Sequence, residues 1–179
     1  MGYTTAMWLG FGEALAPVAG ALTGLLFVAL SVKADVFAAS RSLSSRAGET
    51  LVLFMISVLI AIVLVAPQPP AALGWELLAV AVVSGAILLV LDRRAGHATH
   101  AGVARYVERF SPNTITAALV AVAGLTFLLK AGGGLYWLIP AAVASLVGGV
   151  VNTWQFLISL GAPLVTPVPG GKSAVAAAR

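Results

Sequence analysis

The sequence predicts an all-α membrane bundle of five transmembrane helices, with the N-terminus outside and the C-terminus inside. Three observations predict it. Sixty per cent of the 179 residues are hydrophobic and 9% are charged, against about 45–50% apolar and about 25% charged in soluble domains. Five apolar stretches approach the roughly 20 residues that carry a helix across a hydrocarbon core of about 30 Å. Nine of the ten Lys and Arg residues fall on one side of a five-span arrangement. The composition excludes a soluble globular fold, and it excludes disorder, which needs few apolar residues and much charge. The chain has no cysteine, which removes disulfide frameworks, thiolate metal sites and thiol nucleophiles together.

The first span is read from about Trp8 to Val32. It is not a cleaved leader, because residues 1–7 carry no Lys or Arg and a secretory signal begins with a basic segment. The second runs from about Gly48 to Ala66. Between them, Ser40 to Arg46 reads as a serine-rich turn leading to a cap, with Glu49 in the first helical turn facing its positive dipole end. Pro67-Gln68-Pro69-Pro70 then forces a tight turn, since proline neither continues a helix nor leaves its predecessor helical. The third span covers Ala71 to Leu91. Within 97–110, Val103, Tyr106, Val107 and Phe110 recur at helical spacing, which predicts an amphipathic segment lying along the inner membrane surface. Ser111-Pro112 reads as a cap followed by proline at the first helical position, opening the fourth span, Pro112 to Leu129. Gly132-Gly133-Gly134 makes a hairpin link to the fifth, Leu135 to about Leu160. Residues 1–162 thus form one transmembrane domain, and the Pro- and Gly-rich residues 163–179 a cytoplasmic tail.

Orientation follows from the basic residues. Lys33, Arg41 and Arg46 lie between spans one and two, Arg93, Arg94, Arg105 and Arg109 between three and four, and Lys172 and Arg179 in the tail; Lys130 alone is opposite. Short loops rich in Lys and Arg stay in the cytoplasm. The same rule accounts for the net charge of +4, so nucleic acid is not an expected partner. Anionic headgroups are, at Arg93, Arg94, Arg105 and Arg109. Trp8, Trp75 and Trp137 fall at the outer boundary and Trp154 toward the inner one, as interfacial tryptophans do.

Ionisable groups in a bilayer are suspects for function. Glu13 lies roughly 28 Å from the inner edge, at the outer interface. Glu76 lies about 8 Å below the outer surface and is the best intramembrane acid. With Lys130 and Asn152 it makes a candidate polar site, to be weighed against a structural ion pair or a snorkelling acid. Asn152 and Gln155 also read as amides that bond across helices, whereas Thr23 and Ser57 can satisfy their hydroxyls on their own helices. Pro17 and Pro140 are expected to bend spans one and five. His97 and His100 are too few for a metal site. No catalytic set, cofactor motif or metal cluster is present in the pattern, so no catalytic, cofactor or metal residue is assigned.

Small residues at four-residue spacing mark faces where helix backbones approach closely. Ala16, Gly20 and Gly24 form one on span one; Ala141, Ser145 and Gly149 form another on span five, beside Ala144, Gly148 and Asn152. Ala81 and Gly85 make a shorter one on span three. The segments Gly20 to Val32, Arg46-Ala47-Gly48-Glu49 and Leu73-Gly74-Trp75-Glu76 resemble a group of small actinobacterial membrane proteins, some of them labelled modulators of the FtsH membrane protease. The resemblance covers about the first half of the chain and implies a small protein of the bacterial inner membrane. Together these features lead us to expect a non-enzymatic protein working through helix contacts, as a homo-oligomer or an accessory subunit. The alternative is an ion channel or small-solute transporter.

Overall fold

The computed structural model describes residues 2–32, 34–35, 41–95 and 112–161. The amphipathic segment 97–110, with His97 and His100, and the tail 163–179 lie outside them. The described residues fold into five α-helices: α1 Leu9–Val32, α2 Arg41–Val65, α3 Pro70–Ala95, α4 Pro112–Leu129 and α5 Leu138–Gly161. Single 3-10 turns, Thr5–Trp8 and Gly134–Trp137, lead into α1 and α5. No strand occurs among the described residues. Four of the helices are long and apolar enough to cross a membrane, and α4 contains a shorter apolar stretch, Thr114–Leu129. Such an architecture fits a multi-pass membrane protein.

Each helix follows its neighbour back along the bundle. α2 packs on α3, α3 on α4, α4 on α5, and α5 returns to α2, closing a four-helix ring. α1 stands outside this ring and packs chiefly on α2. Ile56, Ile60, Leu77, Val120 and Leu138 belong to one contiguous buried cluster. Burial of this kind holds helices together in lipid through close packing, since the surroundings are as apolar as the core.

Several boundaries differ from the sequence reading. α2 begins at Arg41, so the serine-rich segment from there on is helix, not turn. Ser45 is buried and Thr50 donates its hydroxyl hydrogen to the Arg46 carbonyl, 3.0 Å away. A hydroxyl that bonds back one turn is compatible with a helix interior. Glu49 is consequently well inside α2 and does not occupy its first turn. Pro140 is the third residue of α5. Proline is tolerated in a first turn, where its missing N–H has no helical acceptor, so the expected bend in span five has no cause there. Pro17 does lie in the body of α1.

The turns behave as their residues dictate. The Gln68 side chain donates to the Val63 carbonyl at 2.8 Å, closing the end of α2 before the proline run. At the end of α4 the Ala131 N–H donates to the Thr126 carbonyl at 3.1 Å, the six-to-one bond of a Schellman cap. Lys130 occupies its left-handed position, with φ of 51°. Gly132, Gly133 and Gly134 follow with φ of 79°, 107° and 58°, a run of left-handed backbone that only glycine adopts without strain.

Candidate functional site

The face predicted on span five is a real interface inside the bundle. Ala141, Ser145 and Gly149 are all buried, and α5 presents them to α2. A Cβ on Gly149 would lie 2.3 Å from Cε1 of Phe54, so the ring sits directly on the glycine. One turn away, Ser145 donates its hydroxyl hydrogen to the Leu53 carbonyl and lies 2.9 Å from the Ser57 hydroxyl. With Ser145 committed as donor, Ser57 supplies the hydrogen between the two oxygens. Ser57 therefore bonds across helices, contrary to the expectation that it satisfies itself. Its own acceptor one turn back, Leu53, is taken by Ser145. Thr23 does bond within its helix, to Ala19 at 2.7 Å.

Ala81 is buried on α3, and Gly85 is close enough to α4 that a Cβ would lie 3.8 Å from that of Ala117. Two tighter approaches escaped the sequence reading. A Cβ on Gly124 would lie 3.0 Å from the Gly74 carbonyl oxygen, where α4 packs on α3. One on Gly12 would lie 3.0 Å from Cβ of Leu64, where α1 meets α2. Gly124 has no small residue four positions away, whereas Gly12 continues the four-residue stripe of Ala16, Gly20 and Gly24 by one step toward the N-terminus.

On α1 the outcome is reversed. Its packing face within the chain is Gly12, Leu15, Ala19 and Leu26, all buried. Ala16 is half-buried, while Gly20 and Gly24 are exposed, with nothing within 4 Å of a Cβ at either. The four-spaced face named from the sequence is thus left open.

The polar candidates are not brought together. Glu76 is exposed on α3 next to exposed Trp75. A helix position at membrane depth fixes height alone; the side chain leaves from the outer surface of the bundle. Glu13 and Lys130 are exposed as well. Asn152 is half-buried on α5, fourteen residues after Leu138 and so roughly 21 Å along the axis from the end that carries Lys130. Neither Asn152 nor Gln155 has a hydrogen bond across helices among the described residues. Among the described residues, Ser145 makes polar contacts across helices, with the Ser57 hydroxyl and the Leu53 carbonyl. Among the described residues no three His, Cys, Asp or Glu side chains gather in a way that would hold a metal ion.

A second feature at the Lys130 end joins the start of the chain to the loop between α4 and α5. The Leu135 N–H donates to the Gly2 carbonyl at 3.0 Å, and the Gly133 N–H to the Tyr3 hydroxyl oxygen at 3.0 Å. Trp8 packs edge-on against Tyr136, with ring centroids 5.2 Å apart, and Tyr3 stacks on Phe127 at 6.4 Å. The Trp137 indole N–H donates to the Gly132 carbonyl at 2.8 Å. Residues 2–8 therefore form a strap fastened to the glycine loop between α4 and α5. Trp8 is buried by this contact.

Compared with protein families, with curated proteins and with solved structures, the chain matches none.

Proposed function

We propose that the chain is a non-enzymatic protein of the bacterial inner membrane, with five crossings, N-terminus out and C-terminus in. It acts through helix–helix contacts, as a homo-oligomer or as an accessory subunit of a membrane complex. The observation that carries this reading is the position of α1. It stands outside the ring, its span is the least buried of the candidate spans at 17%, and it leaves Gly20 and Gly24 open. A helix face of small residues permits close backbone approach by a second helix, which is where association in lipid gains its packing energy. The channel or transporter reading draws on Glu76, Lys130 and Asn152, and it is not favoured by the position of Asn152, roughly 21 Å along the axis from the end that carries the other two.

The test exploits the empty space at those glycines. A Cβ at Gly20 or Gly24 has no atom of its own chain within 4 Å, so Gly20→Leu with Gly24→Leu is expected to leave the fold intact. Wild-type protein extracted in mild detergent is expected to run as a dimer or larger, or to carry a second membrane protein, by native mass spectrometry. The double variant is expected to run alone, with an unchanged melting temperature. A wild-type protein that is monomeric and solitary in native nanodiscs would defeat the proposal.

A further inference from the structure

Between α1 and α5 the outer wall of the bundle is open. A slot of about 280 Å³ lies there, floored by Phe54 of α2. Leu22, Leu25, Leu26 and Ala29 of α1 form one wall, and Val150 and Trp154 of α5 form the other. Thr153 also lines it, but its hydroxyl already donates to the Gly149 carbonyl at 2.8 Å. The slot therefore offers an occupant almost nothing but hydrocarbon.

Its dimensions decide between occupants. Leu22 to Ala29 is about 10 Å of helix at about 1.5 Å per residue. The volume spread over that length describes a groove roughly 6–9 Å from wall to wall. A helix with its side chains is about 10–12 Å across and does not enter. A single alkyl chain, whose carbons meet their neighbours at about 3.5–4.0 Å, fits.

The slot also lies toward one end of the molecule. Ala29 is three residues from the end of α1. Arg46, exposed near the start of α2, precedes Phe54 by eight residues, about 12 Å along the axis. Trp154, 65% exposed at the lip, is of the type that settles at the headgroup boundary. A chain in the slot thus carries its polar end toward the level of a guanidinium, which favours an anionic headgroup. We propose that this slot binds one acyl chain of an anionic phospholipid drawn from the leaflet at the Arg46 end. The proposal stands apart from the oligomer reading, since the open glycine face and the slot are separate features of α1.

Native mass spectrometry of delipidated protein, titrated with phosphatidylglycerol or with phosphatidylcholine of the same chains, tests it. One phosphatidylglycerol is expected to bind per protomer about ten-fold more tightly than later copies. Val150→Trp and Leu25→Trp fill the slot from opposite walls at exposed positions, and each is expected to abolish that first site without altering the melting temperature. Arg46→Gln is expected to keep a first site but bring the two lipids to within about two-fold of one another. First-site binding that survives both tryptophan variants overturns the proposal. So does loss of a dimer, in place of a lipid, when the slot is filled, because the occupant would then be a second copy. Equal binding of the two lipids by wild type overturns the headgroup assignment.

Discussion

Ser145 and Gly149 stand one turn apart on the same face of α5, yet replacing them has very different expected costs. Ser145→Ala removes a hydroxyl that Ser57 and the Leu53 carbonyl both use. The Leu53 carbonyl so released is the acceptor one turn behind Ser57, and serine readily bonds back to that position. The loss is therefore expected near the average for a hydrogen bond between membrane helices, about 0.6 kcal/mol. Gly149→Val leaves no such escape. Phe54 is fully enclosed, and its ring occupies the place of the new Cβ; overpacking of this kind costs about 1–3 kcal/mol. Reversible unfolding in mixed micelles should rank the two variants in that order. A larger loss for Ser145→Ala would mean that Ser57 cannot turn back on its own helix. The sequence lets Ser57 satisfy its hydroxyl on its own helix, and it is the register of α5 against α2 that gives it Ser145 instead.

Among the elements, the N-terminal strap is held by contacts that no local pattern announces. Tyr3 and Gly133 are 130 positions apart, and their bond depends on three consecutive left-handed glycines that turn the loop's N–H groups toward the chain start. A triple glycine is legible as a turn, but its partner is not. Gly134→Ala is expected to detach the strap while sparing the ring. It places a Cβ 2.5 Å from the Gly2 carbonyl oxygen and 2.7 Å from the Tyr3 ring, at a φ of 58° that alanine resists. Hydrogen exchange over residues 2–8 should rise by about ten-fold or more, while α2 and α5 keep their protection, because local opening need not engage the core. Unchanged exchange in that segment would show that the aromatic contacts of Trp8 and Tyr3 hold the strap without the backbone bonds. The membrane helices themselves were legible because hydropathy is summed over some twenty residues, so that single misread positions do not matter. Their ends were less so. The start of α2 was missed because serines serve as caps and as helix-interior residues that bond back one turn, and sequence does not say which.

At the scale of the whole molecule, the unsettled element is α4, the shortest helix, on which the count of five crossings depends. Its 18 residues span roughly 27 Å, close to the hydrocarbon thickness of about 30 Å. Its contacts with α3 run from Ala117 to Leu128 along one helix and from Gly85 back to Gly74 along the other: Leu128 meets Gly74, Gly124 meets Gly74 and Leu78, and Ala117 meets Gly85. Those pairs descend on one helix as they rise on the other, so α4 is antiparallel to α3 and carries the chain back from the Ala95 end to the Lys130 end. The absence of native cysteine makes the consequence measurable with single introduced thiols. Ala34 and Ala131 are both exposed and, by this geometry, at opposite ends of the bundle. On the five-span arrangement proposed above, nine of ten basic residues lie on the Ala34 side, and the positive-inside rule predicts that side to be cytoplasmic. Ala131→Cys should therefore react with a membrane-impermeant maleimide in intact cells, and Ala34→Cys only after permeabilisation. The reverse pattern would invert the orientation. Labelling of both from one side would mean that α4 folds against the ring without crossing, and that the even count of four long apolar helices is the true one.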